Sequence, residues 1–364
     1  MSDTRPRPLP VIDHSLPVRR IAIVRALYLG DLLLAIPAFR ALRARYPNAE
    51  ITLIGLPWAE SFVKRFAQYL DRFIAFPGYP GIDEETYDPL RTARFLAEQR
   101  AYHYDLVIQM HGSGEASNPF ALALGGRSTA GYYRGAPATG MTACAPYLEH
   151  EPEVMRNLGL ARLAGCRWLD PSLEFPVLAA DREEASALLR GISEGALLIG
   201  IHPGAKVSAR RWMPERFAEV ADTLIERYGA RIVLVGSASD SGHSCAVRAA
   251  MRHAPLDLTG KTSLGGLAAL FERMRLFIGN DSGPAHLAEA VGTPSVTVFG
   301  PGDPRSWAPL DQRSHRVVRE PVGCNPCAYA DCPIDHRCLR RIAPSQVLAH
   351  AHELLAKGVR ACGA

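Results

Sequence analysis

Short β-branched runs and longer amphipathic stretches alternate along this chain. Residues 20–26 (with Ile21, Ile23 and Val24), 51–55 and 105–109 are apolar runs of strand length. Between them, residues 32–46, 58–70 and 90–100 place apolar side chains at helical spacing. The second half repeats the arrangement, with strands expected at 197–201, 231–236, 276–279 and 295–299. Such alternation implies parallel sheets joined by crossover helices. Two sets fit two doubly wound α/β domains better than one long sheet. The joint falls near residues 171–178, where Asp-Pro-Ser-Leu-Glu-Phe-Pro interrupts the helical pattern. The expected divisions are a loose proline-rich tail (1–18), a first Rossmann-like domain (19–175), a second (176–342) and a closing helix (343–364) that packs back on the first. Pro37, in the second turn of the 32–46 helix, is expected to bend it.

In open parallel sheets, ligands sit at the carboxyl ends of the strands. One such end reads Gly279-Asn-Asp-Ser-Gly-Pro284, with a helix expected from Pro284. Asp281 and Ser282 suit the cap, Gly283 the turn, and His286 the first helical turn. A helix start fed by a strand and a glycine turn is an anion site, although an ordinary capped junction has the same look. A second loop of similar design, His202-Pro-Gly204, carries the cations Lys206, Arg210 and Arg211 before Trp212 and a helix. Two glycine turns with cations between them suit a diphosphate; solvated charge is the plain alternative for Lys206 and Arg211. In the first half, Gly30-Asp31 leads straight into a helix. Asp31 is either an N-cap, worth ~1 kcal/mol, or a carboxylate held as a general base, its pKa lowered by the helix start. His111, in His111-Gly-Ser-Gly114 at another strand end, shapes the same region.

Composition narrows the classes. With 41 Lys+Arg against 37 Asp+Glu, the +4 balance gives no case for nucleic-acid binding. No apolar run reaches the ~18–20 residues of a membrane span. The start, with Pro6, Pro8, Pro10 and Pro17, lacks the apolar stretch of a signal peptide, so a cytoplasmic protein is expected. Arg40, Arg43 and Arg45 still leave room for contact with anionic lipid.

Taken in order, Gly30-Asp31, Gln109-Met-His-Gly112, His202-Pro-Gly204 with Arg210-Arg-Trp212, and Asp281-Ser-Gly-Pro-Ala-His286 resemble glycosyltransferase family 9, the heptosyltransferases of lipopolysaccharide core assembly. The resemblance runs from about Arg19 to the last helix. It implies a GT-B fold, two Rossmann-like domains facing each other across a cleft. It also implies inverting transfer of heptose from ADP-heptose, without a catalytic metal, to a lipid-linked glycan at the inner membrane surface, and so a cytoplasmic enzyme peripheral to that membrane. By position Asp31 would be the catalytic base. Arg210 would meet the phosphates, Asp281, Ser282, Gly283 and His286 would hold the donor diphosphate, with His202 and Gly204 beside them, and Asp240 would face the ribose. Gly30 and His111 would lie on the acceptor side. Ala26-Leu27-Tyr28, where small polar residues are frequent in the family, leaves the acceptor open. Other readings are transfer of another nucleotide sugar or to a protein, a nucleotide-sugar-binding module without transfer, and a UDP-sugar epimerase.

One constellation stands apart. Cys324, Cys327, Cys332 and Cys338 are half of the chain's eight cysteines, with His336 among them. In a cytoplasmic setting clustered thiolates more often bind metal than form disulfides. Four sulfurs would suit a structural zinc or iron; free thiols and disulfides are the alternatives.

Overall fold

The computed structural model describes residue 12 and residues 16–361, so nearly all of the expected tail lies outside the described residues. The chain divides into two compact units, Met1–Ser172 and Leu173–Ala364.

The first unit holds β1 (Arg20–Val24), β2 (Glu50–Gly55), β3 (Arg72–Ala75), β4 (Leu106–Gln109), β5 (Ser128–Tyr133) and β6 (Ala143–Pro146). All pair in parallel, in the order β3-β2-β1-β4-β5-β6. Ile21, Ala22, Ile23 and Val24 are all fully buried, as a strand covered on both faces requires. On one face Ala22, Val24, Ile54 and Val107 meet Phe95, Phe120 and Ala121 from helices. Elsewhere in the unit the helices Ile36–Arg45 and Glu153–Leu163 pack on each other.

Pro37 corrects the sequence reading. It does not bend a continuous helix, because the helix is in two pieces, Leu29–Leu33 and Ile36–Arg45. Pro37 lies in the first turn of the second piece, where its missing N–H costs nothing.

The second unit holds β7 (Leu198–His202), β8 (Arg231–Leu234), β9 (Leu256–Asp257), β10 (Leu276–Asn280), β11 (Ser295–Phe299) and β12 (His315–Arg319). They pair in parallel in the order β12-β11-β10-β7-β8-β9. Phe217, Val220 and Leu224 of the helix Pro214–Tyr228 join Ile199, Ile201, Ile278 and Val296 of the strands. The closing helix, Pro344–Ala361, adds Val347, Ala351, Leu354 and Leu355 to this same core.

Both sheets share one winding. The chain builds outward from β1 to β3, then returns to lay β4 on the other side of β1; it does the same with β7, β9 and β10. Beside β1/β4 and β7/β10 the crossovers diverge to opposite sides, leaving a crevice at the strands' carboxyl ends.

Candidate functional site

Asp31, His111, His202 and residues 281–286 fall at these two switch points, while Asp240 follows β8. After β1, the helix Leu29–Leu33 begins with Tyr28 as its N-cap residue, and Asp31 is the third helical residue. The Asp31 carboxylate accepts the Tyr28 N–H at 3.3 Å, a cap made from inside the helix rather than from the N-cap position. Below it is a residue sequence reasoning passed over. Arg25 is 1% exposed; its Nε donates to the Asp31 carbonyl at 2.9 Å, and its Nη atoms reach the Met110 carbonyl, Asn157 Oδ1 and Glu153 Oε1. Asn157 in turn donates to the Leu34 carbonyl at 3.1 Å. One buried guanidinium thus ties the Asp31 turn to the end of β4 and to the helix Glu153–Leu163. The signal was present: an arginine directly following an apolar strand must find buried acceptors or leave the core.

Past Met110, His111 is buried, with Nε2 at 3.4 Å from Glu84 Oε2. Its carbonyl accepts from Gln109 Nε2 and Ser117 Oγ, which fixes the turn. Gly112 is at φ 66°, a conformation that favours glycine.

In the second unit, His202 ends β7 and is buried, with Nε2 at 3.5 Å from Asp240 Oδ2 and Nδ1 at 3.3 Å from Ser282 Oγ. Asp240 also accepts from Ser237 N–H at 2.9 Å and Ser237 Oγ at 2.7 Å. Burial opposes its charge, yet the His202 and Ser237 hydrogen bonds hold its carboxyl well below the usual carboxylate range. The residue expected at the ribose is therefore committed to His202 and its own turn. Gly204 has to be glycine here, since a Cβ would collide with Asp240 Oδ1.

After β10, Ser282 is the extended N-cap of the helix Gly283–Ala290, with Pro284 in its first turn. Asp281 is 3% exposed, and Arg210 Nη1 lies 3.4 Å from its Oδ2. Burial raises the Asp281 carboxyl above its ordinary value, with the Arg210 and His286 charges pulling it back. Oδ2 has no hydrogen-bond partner among the described residues. A Cβ on Gly302 would strike that same oxygen, so Gly302 also belongs to the site. His286 is buried within the helix, its Nδ1 3.9 Å from Glu289 Oε2, too far for a hydrogen bond. Asn280, fully buried, joins the two loops: its Oδ1 accepts the Trp212 N–H, and its Nδ2 donates to the carbonyls of Pro203 and Gly204. Arg211 turns back on its own loop, donating to the Ala205 carbonyl at 2.9 Å, which leaves Arg210 as the loop's cation at Asp281.

The turn Ser208–Arg210 is held from outside. Ala209 N–H donates to the Ala330 carbonyl at 3.0 Å, and Ser208 Oγ bonds the Ala330 carbonyl and Asp331. Those acceptors belong to the cysteine-bearing loop. Cys324, Cys327, Cys332 and Cys338 are free thiols, ranging from exposed Cys324 to buried Cys338. Cys332 Sγ accepts the His336 N–H at 3.3 Å, and burial together with the three neighbouring thiols raises Cys338. Among the described residues no group of three or more His, Cys, Asp or Glu is arranged to hold a metal, so the expected four-sulfur ligand set is not assembled.

Comparison with known proteins agrees with this geometry. The signature of glycosyltransferase family 9 (heptosyltransferase) matches residues 92–337. Lipopolysaccharide heptosyltransferase 2 of Salmonella typhimurium is 27% identical over 93% of this chain and 99% of its own length. A family 9 glycosyltransferase from Veillonella parvula superposes with a TM-score of 0.77 at 25% identity, over 94% of this chain and 99% of that one. The ADP-heptose lipopolysaccharide heptosyltransferase II of E. coli superposes with a TM-score of 0.73 at 24% identity, over 93% and 99%. The fold is GT-B, built of two Rossmann-like domains. No helix among the described residues is long and apolar enough to cross a membrane.

Proposed function

The chain belongs to glycosyltransferase family 9, the heptosyltransferases, and from that premise we propose that it transfers a heptose from ADP-heptose to a lipopolysaccharide core or related glycan, with inversion and without a catalytic metal. The observation that carries the reading is the pairing at β7/β10 of an arginine with a helix start. Arg210, steered by Asp281, and the N–H groups of the helix Gly283–Ala290 form a cationic and dipolar cradle of the sign that suits a diphosphate.

The chemistry follows from charge. Displacing a diphosphate from an anomeric carbon passes through an oxocarbenium-like state, with negative charge growing on the leaving oxygen. Donors placed at that charge lower the barrier by ~3–4 kcal/mol each when strong. Asp31, on the first domain, takes the proton of the acceptor hydroxyl. That oxygen forms the new glycosidic bond as the bond to the diphosphate breaks, and ADP leaves with the electron pair. The Asp31 role is worth roughly 10²–10⁴-fold. Asp240 acts through His202, holding the imidazole against Ser282 and so fixing the helix cap. The acceptor is a lipid-borne glycan met at the cytoplasmic face of the inner membrane.

The test is ADP release by the purified protein with ADP-heptose and a core acceptor, alongside ADP-heptose protection against heat. Release that requires both substrates supports the transferase. Protection without release would make the chain a binding module, and preference for a UDP-sugar would overturn the donor.

A further inference from the structure

In the first unit a cavity of about 640 Å³ lies apart from the β1/β4 switch-point residues, lined by Ala41, Arg45, Arg162, Cys166, Arg167 and Trp168 among others. Its walls are the helices Ile36–Arg45 and Glu153–Leu163 and the turn that follows the latter. They are fixed to each other: Tyr46 Oη donates to the Ala164 carbonyl, and Cys166 Sγ to the Ala41 carbonyl at 3.4 Å. Buried Ala41 and Cys166 make an apolar floor, and burial pushes the Cys166 thiol up to about 12, so the floor stays neutral.

The rim is cationic. Arg45, Arg162 and Arg167 are exposed, and none has a carboxylate partner among the described residues. The other arginines of this surface are already committed. Arg40 pairs with Asp170 at 3.1 Å, and Arg43 with Asp71 and the carbonyls of Ala49 and Tyr69. Asp170, the carboxylate near this rim, is therefore taken. Trp168 stands 56% exposed at the edge, its ring 5.6 Å from the Arg40 guanidinium.

We infer that this groove is a docking site for the anionic headgroups of a phospholipid bilayer. Three guanidiniums without a carboxylate partner, around an apolar floor, match a phosphate group with a glycerol body beneath it. An exposed indole beside them belongs at the headgroup boundary, where an amphipathic ring is half wet. The volume exceeds what a lone phosphate fills and falls within the range of small-molecule sites. The inference deepens the reading of a membrane-borne acceptor, yet it concerns binding alone and needs neither donor nor transfer.

The test is sedimentation of the full chain with vesicles of phosphatidylcholine alone or with phosphatidylglycerol added. The wild type is expected on the anionic vesicles only. Neutralising each arginine should weaken binding about fivefold, and Arg162→Glu with Arg167→Glu should weaken it further. Trp168→Ala should also reduce binding to anionic vesicles. Melting temperature and ADP affinity should not move, which separates failure here from failure of the donor site. Should the double variant not fold, Arg45→Gln serves in its place. Equal binding to both vesicles, binding to neither, or variants that bind like wild type would overturn the inference. So would inorganic phosphate displacing the protein at the concentration of lipid phosphate, which would make the groove a small-anion site.

Discussion

The Asp31 carboxylate accepts the Tyr28 N–H, and in the proposed mechanism it would also take the acceptor's proton; a single substitution separates the two roles. Its cap on the Tyr28 N–H needs an oxygen, which asparagine also provides; accepting a proton needs the charge. Asp31→Asn should therefore leave melting temperature and ADP affinity nearly unchanged while turnover falls roughly 10²-fold or more. Near-normal turnover would return Asp31 to capping alone. On the donor side, Arg210→Ala should weaken ADP binding by ~1.5–3 kcal/mol in calorimetry, the range for a charged hydrogen bond, with the fold intact. Asp240 gives a pH signature. Its folded-state pKa is depressed, so its contribution to stability is present above the ordinary carboxylate range and disappears as pH falls through the folded value. Asp240→Asn should accordingly lower the melting temperature at neutral pH, with the gap to wild type closing under strongly acidic conditions. A gap that stays constant with pH would remove the ion pair as its cause.

At the scale of elements, the buried Arg25 gathers three parts of the first unit: the Asp31 turn, the end of β4 and the helix Glu153–Leu163. Arg25→Ala strands Glu153, although Arg156 still pairs with it, so a loss toward the low end of ~3–5 kcal/mol is expected in urea unfolding. Turnover should fall more than ADP affinity, because the disturbed turn carries Asp31 and not the diphosphate cradle. The sequence disclosed the elements whose apolar pattern is unambiguous: β1, β2, β4, β7, β8, β10 and β11 were all anticipated within a residue or two. It hid those whose chemistry is mixed. β3 is four partly or fully exposed residues headed by Arg72, β5 interleaves Ser128, Thr129 and Gly131, β6 ends on Pro146, and β12 flanks Val317 and Val318 with His315, Arg316 and Arg319. All but β5 are edge strands, where one side needs no partner and the apolar signal thins. In the site, loop residues were visible because glycine, proline and charge at a strand end are locally unusual. Arg25, Asn280 and Gly302 were not, since what marks them is a partner far along the chain.

Taken whole, the molecule repeats one winding in each half and loads each switch point with different chemistry: a carboxylate after β1, a cation and a helix start after β7 and β10. In the proposed mechanism, that division would let one topology serve two tasks. The same molecule also couples two regions that share no role. Ala330 and Asp331, within the cysteine-bearing loop, hold the Ser208–Arg210 turn through hydrogen bonds, so a shift of the loop is expected to be felt at the arginine. Coupling of this kind runs both ways by thermodynamic necessity. If ADP selects the gripped arrangement, saturating ADP should slow alkylation of exposed Cys324 and half-buried Cys327 in the wild type and lose that effect in Arg210→Ala. Conversely, alkylated protein should bind ADP more weakly than the free-thiol form. The thiols would then serve as a reporter wired to the donor pocket, reading its occupancy from outside.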